Sequence, residues 1–139
     1  MDVQKLQVEH HPEYFKALKS ADFAEAFFKE MLEKDTVFIY LAEDDGDALG
    51  YFFCSLVDKP ENPFTFARHF LMIEQISVRP NAQRRGVGQV LMLQVETTAR
   101  ELGIPRVELG TWDFNTNAHG FFERMGYCQR HLQYWKVLE

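Results

Sequence analysis

Apolar residues follow a helical rhythm at the start of the chain. Pro12 opens a short helix, and Ser20 caps a longer one that carries Phe23, Phe27, Phe28, Met31 and Leu32 at three- and four-residue steps. Before them, Val3, Leu6 and His10 also repeat at helical steps, with a short strand in Val3 to Val8 as the alternative reading. From Thr36 the rhythm changes. Thr36 to Ala42 is β-branched and aromatic, the acidic run Glu43 to Asp47 forms a turn in which Gly46 supplies positive φ, and Ala48 to Val57 completes a hairpin. Pro60 and Pro63 mark Asp58 to Arg68 as an exposed loop, after which His69 to Val78 reads as a third strand.

Beyond Arg79 and Pro80 the helical period returns. Val87, Val90, Leu91, Val95, Ala99 and Leu102 define one face of a helix that starts at Gly86 and is stopped by Gly103 and Pro105. Arg106 to Trp112 alternates as a strand, Asn117 to Met125 forms a short helix ending at Gly126, and Tyr127 to Leu138 is a last strand. Helices, a hairpin, and then strand, helix, strand, helix and strand make an α/β domain with a mixed, mostly antiparallel sheet. The expected unit is a single domain over residues 1–139, without repeats or linkers.

Composition narrows the class. With 46% hydrophobic residues and thirteen phenylalanines, the chain has the apolar surface to build a core, which excludes intrinsic disorder. No apolar run reaches the ~20 residues of a membrane span, and Met1 to His10 is too polar for a signal peptide, so a cytoplasmic protein is expected. Cys54 and Cys128 both sit in apolar strand-like runs and are expected as buried free thiols. His10 and His11 point apart, and His69, His119 and His131 lack ligand spacing, so no metal is expected. The net charge of −6 is uneven. Residues 1–63 carry fourteen acidic and six basic side chains, whereas residues 64–139 carry seven and nine, including all eight arginines. That balance disfavours nucleic acid as a partner but leaves room for a local anion site.

The segment Gln83-Arg84-Arg85-Gly86-Val87-Gly88 lies where a strand hands over to a helix. Free amides at a helix start converge on one point, the helix dipole adds positive potential, and glycine lets a phosphate approach the main chain. On pattern alone, a flexible basic loop before a helix is the better reading. The glycine spacing matches neither a Walker loop nor a dinucleotide fingerprint.

The surrounding residues resemble the GNAT superfamily of acyl-CoA-dependent N-acyltransferases. Val78-Arg79-Pro80 followed by Gln83 to Gly88 is similar to the signature Gln/Arg-x-x-Gly-x-Gly/Ala after a strand ending in Val-x-Pro. Asn115, Ala118, Phe121, Phe122, Gly126 and Tyr127 are similar to a second signature, with Asn117 as a rival for the asparagine. Ile73 to Val78 resembles the family's central strand. The resemblance implies a sheet whose central strands splay apart, flanked by helices, with the family's first strand hidden or missing here. It further implies acetyl-CoA as cosubstrate. The pantetheine arm would bond to the backbone of Ile76, Ser77 and Val78, the pyrophosphate would rest on Gln83 to Gly88, and Asn115 or Asn117 and Phe122 would line the arm.

An alkylammonium acceptor, with a pKa near ~10.4, must lose a proton before it can attack. Glu74 is the expected base, directly or through a water; the alternative places it on a solvated face or in a pair with Arg68 or Arg106. Where many family members have a tyrosine acid, this chain has Phe122, which has no proton to give; Tyr127 and Tyr134 are the available substitutes, and each reads better as packed in the sheet. Phe122 is expected to face the cofactor gap while Phe121 packs in the core. Two functions stand open: an N-acetyltransferase acting on a primary amine of a small molecule or peptide, and a non-catalytic acyl-CoA-binding or protein-interaction module. A homodimer is compatible with either.

Overall fold

The structure, a computed structural model, describes residues 29–84, 86–111 and 116–138. The expected first helices, the strand sought in Val3 to Val8, Arg85, Asn115 and the end of the strand expected at Trp112 lie outside the described residues. Residues 29–32 are helical, in keeping with the Ser20 helix, although Leu32, expected in the core, is 57% exposed.

The hairpin forms from strands β1 (Val37–Asp44) and β2 (Asp47–Lys59), both longer than expected. The turn contracts to Asp45 and Gly46, with φ of 49° and 84°. Two successive positive φ values match the right-handed twist of the flanking strands, which is why Asp-Gly suits this position. Strand β3 (Arg68–Val78) pairs antiparallel with β2, and β4 (Val107–Leu109) pairs parallel with β3. The sheet order is β1-β2-β3-β4, so the mixed, mostly antiparallel sheet expected from the element order is present.

Helix α1 (Val87–Glu101) connects β3 to β4, and α2 (Thr116–Arg124) follows β4. Val87, Leu91, Met92, Val95, Thr98 and Ala99 are the buried residues of α1. They pack with Phe52 and Cys54 of β2, Leu71 and Ile73 of β3, and Phe122 of α2. Each such apolar side chain contributes about 1.5–3 kcal/mol when fully buried. Two members of the expected stripe fall outside it. Val90 lies roughly 60° around the helix from Val87, off the sheet-facing arc, and is 63% exposed; Leu102 stands at the C-cap, beyond the last turn. Tyr40 on β1 is hydrogen-bonded to the hydroxyl of buried Thr98, tying the outer strand to α1.

The expected strand Tyr127 to Leu138 does not form: residues 127–138 have no regular secondary structure. Its apolar residues fall on both parities, with Leu132 and Tyr134 on one and Trp135 and Val137 on the other, so no single face gains by burial. Leu132 and Tyr134 are exposed, while Arg130 Nη1 holds the segment to β4 through Glu108 Oε2 at 3.0 Å. Cys128 is correspondingly exposed, not buried as expected; Cys54 is buried.

Candidate active site

The β2–β3 register changes in the middle of both strands. Phe53 lies opposite Gln75 and Cys54 opposite Ile73, which leaves Glu74 as an extra residue in β3. Such a bulge re-aims side chains and reverses the parity of the residues beyond it. Before it, Leu71 and Ile73 face α1; after it, Ile76 and Val78 pack against the same core. Glu74 follows Ile73 on the other face of the sheet by ordinary strand alternation, and there Ser55 Oγ donates a hydrogen bond to its Oε1 at 2.9 Å. Neither arginine expected as an alternative partner holds it. Arg106 Nη1 binds Glu108 Oε2 at 3.3 Å, and the Arg68 guanidinium stands over the Phe70 ring at 5.8 Å.

Beyond the bulge β3 stays paired with β2 through Val78. Its pairing with β4 covers Leu71 to Ile73 against Val107 to Leu109, and among the described residues Glu74 to Val78 has no ladder partner on that side, the edge on which Ile76, Ser77 and Val78 lie. The Val78 carbonyl already accepts a bond from Gln83 Nε2 at 3.2 Å, which folds the Gln83 side chain back onto the strand end. Gly50, in mid-strand opposite Val78, lets β2 and β3 close here: a Cβ on it would lie 2.6 Å from the Ser77 carbonyl oxygen.

The strand ends in a 3-10 turn, Pro80–Ala82, and the chain then enters α1 through Gln83 to Gly86. Arg84 has φ of 64°, a conformation that costs a non-glycine residue about 1 kcal/mol or more. Gly86 is the N-cap, with φ of 82°, and no side chain caps the helix. The first-turn amides are thus left for water or an anion, and there is no acidic residue in that turn to compete. The exposed Arg84 stands at the same place, whereas the Val87 side chain is buried in the core. A shallow cleft on the hairpin side of the helix start is lined by Ala42, Glu43, Asp44, Leu49, Gly86 and Val90; its two carboxylates suit it poorly to phosphate.

Both adjacent rings of α2 pack on the core. Phe122 is 6% exposed within it. Phe121 is half-buried against it and also meets the start of α1, where a Cβ on Gly88 would lie 3.2 Å from its Cζ. Asn117 is exposed in the first turn of α2.

The candidate acids are poorly placed. Tyr127 Oη donates to Glu96 Oε2 at 3.1 Å, and burial first, then the Glu96 charge, pushes its phenol far above the usual range. Tyr134 is 86% exposed in the C-terminal segment. Burial, helped by the Glu74 carboxylate, pushes the Cys54 thiol up to about 12, which leaves it inert as a nucleophile. Among the described residues no three His, Cys, Asp or Glu side chains gather to hold a metal, and no helix is long and apolar enough to cross a membrane. Ser55 and Gly50 escaped the sequence reading; only the mid-strand glycine carried a local signal.

The chain matches the acetyltransferase (GNAT) family over residues 3–127. It is 39% identical, over 67 residues, to the L-ornithine N5-acetyltransferase NATA1 of Arabidopsis thaliana. That match takes in 48% of this chain and 29% of the relative, so the chain spans less than a third of that protein. A mutant of the BH1408 protein from Bacillus halodurans has the same fold, with a TM-score of 0.89 at 19% identity over 99% of this chain and 88% of that one. The aminoglycoside N-acetyltransferase AAC(6')-Iy, solved in complex with CoA, superposes with a TM-score of 0.69 at 23% identity and 96% coverage of both chains.

Proposed function

Because the chain belongs to the acetyltransferase (GNAT) family, we propose that it moves the acetyl group of acetyl-CoA to a primary amine, with Glu74 as the base. The observation that carries this reading is the end of the described β3–β4 pairing at Ile73, with the exposed Glu74 carboxylate next to it and an uncapped helix start beyond the strand. The residues present fit the cosubstrate. The open edge at Ile76 to Val78 offers backbone partners to an amide-bearing arm, and the first amides of α1, with Arg84 and the adjacent Arg85, offer them to a pyrophosphate. Asn117 or Asn115 and the Phe121 ring would flank the arm.

Bound acetyl-CoA supplies a thioester, an acyl donor whose thiolate is a tolerable leaving group at a pKa near ~8.5. Glu74 takes a proton from the acceptor ammonium, freeing the nitrogen lone pair. The C–N bond then forms as the C–S bond breaks; the nitrogen gives its second proton to solvent and the thiolate takes one from it, since Tyr127 is engaged with Glu96 and Phe122 has no hydroxyl. The acidic first part of the chain favours a cationic acceptor over one presenting a carboxylate. The relatives named for ornithine and aminoglycosides support the same class, cationic amines.

The test is thiol release from acetyl-CoA with ornithine, spermidine, an aminoglycoside and a lysine peptide. Glu74→Gln should lower the rate about 100-fold or more at neutral pH and leave acetyl-CoA affinity nearly unchanged. Arg84→Ala should weaken that affinity by roughly 1–2 kcal/mol. Tight binding of acetyl-CoA with no turnover of any amine would favour a non-catalytic acyl-CoA-binding module, a reading for which Phe122 in place of a tyrosine is the one supporting feature.

A further inference from the structure

An exposed strand glutamate is poorly restrained. Glu74 alternates with Leu71 and Ile73 onto the face away from α1, where it is exposed and has three rotatable bonds. A base must stay within hydrogen-bond reach of the proton it takes, so free rotation of that carboxylate would lower its efficiency. The neighbouring strand supplies one restraint. Ser55 is opposite Met72 in the β2–β3 ladder, one diagonal step from Glu74, on the face away from α1. Its Oγ donates to Glu74 Oε1 at 2.9 Å.

We infer that Ser55 is a positioning residue for Glu74: its hydroxyl anchors Oε1 and leaves Oε2 as the oxygen presented to the acceptor amine or a relaying water. This rests on the proposed role of Glu74 as base. The restraint is built from the fold. Glu74 and Ser55 are neighbours across the β2–β3 ladder, so the register of the two strands sets the contact. A serine here is short and half-buried, with few rotamers to lose, so it holds the longer glutamate more than the reverse.

Two measurements on the full chain test it. In protein labelled with carbon-13 glutamate, side-chain couplings of Glu74, assigned by its loss in Glu74→Gln, should report one dominant rotamer. Ser55→Ala should bring them to averaged values and Ser55→Thr should restore them. Unchanged couplings in Ser55→Ala overturn the inference whatever the role of Glu74.

The second measurement is thiol release from acetyl-CoA with an equal mixture of ornithine, spermidine and kanamycin as the probe. Ser55→Ala should lower kcat about 10-fold with the acetyl-CoA KM unchanged, Ser55→Thr should recover most of it, and Ser55→Ala should have no further effect in the Glu74→Gln background. A rate that falls in Glu74→Gln but not in Ser55→Ala sinks the Ser55 role alone. A rate that falls in neither removes the base assignment itself. Additive losses would show that Ser55 acts independently of Glu74, which also overturns the inference.

Discussion

At the scale of single residues, what a side chain can do here is decided by which face of its element it occupies. Cys54 and Cys128 are the same chemical group in two environments. The Cys54 thiol is buried and pushed up to about 12, whereas Cys128 is exposed. An aromatic disulfide reagent at pH 8 should therefore label Cys128 rapidly and Cys54 only at the rate of unfolding; two equally fast thiols would contradict the burial of β2. The neighbouring phenylalanines of α2 make a similar pair. Phe122→Tyr places a hydroxyl in the core and should cost about 1–3 kcal/mol in urea denaturation, while Phe121→Tyr, half-buried near the helix start, should cost less than half as much. The reverse ranking would restore the register in which Phe122 faces the cofactor.

At the scale of elements, the entrance to α1 depends on a close approach between two helices. Gly88→Ala should lower Tm because its new Cβ would press on Phe121, and Phe121→Leu should relieve that loss, so the double variant should be more stable than the sum of the single changes requires. Strict additivity would mean that α2 does not contact α1 there. This contact was not legible in the sequence, although both helices were. Val87, Leu91 and Val95 carry their period on one stretch of chain, and Asp45-Gly46 announces its own turn, so α1 and the hairpin could be read locally. The bulge at Glu74 could not, because it exists only in the register of β3 against β2. The basic loop before α1 was legible from glycine and charge, yet the partner of Glu74 was not, since Ser55 lies 19 residues away in another strand. The expected last strand failed for the converse reason. Residues 127–138 have β-forming residues without a sheet-side pattern, and strand propensity expresses packing against neighbours more than any preference of the backbone.

At the scale of the whole molecule, one sheet separates two environments: the core between sheet and α1, and the opposite face bearing Glu74. Several weak acids kept neutral by burial lie in or beside that sheet. The Cys54 thiol rises from 9.0 to about 12, the Tyr51 phenol from 10.0 to about 12, and the Tyr127 phenol rises further, each chiefly through loss of solvent. Such groups stay protonated in the folded protein at pH values where the unfolded chain has released its protons. Ionisation then favours the unfolded state, so the stability they contribute is fully present below pH 9 and is lost as pH climbs from 9 toward 12. Tm should accordingly fall over that window in thermal scans, and substitution of Cys54 and Tyr51 separates these groups from the lysines, which titrate near ~10.4 in the same window. The decline should be shallower in Cys54→Ala and in Tyr51→Phe, even though both begin from a lower Tm at neutral pH, because each removes one group that must be held neutral. A slope unchanged by both substitutions would assign alkaline unfolding to other groups, and a flat profile up to pH 11 would mean that the thiol and the phenol meet solvent in the folded state.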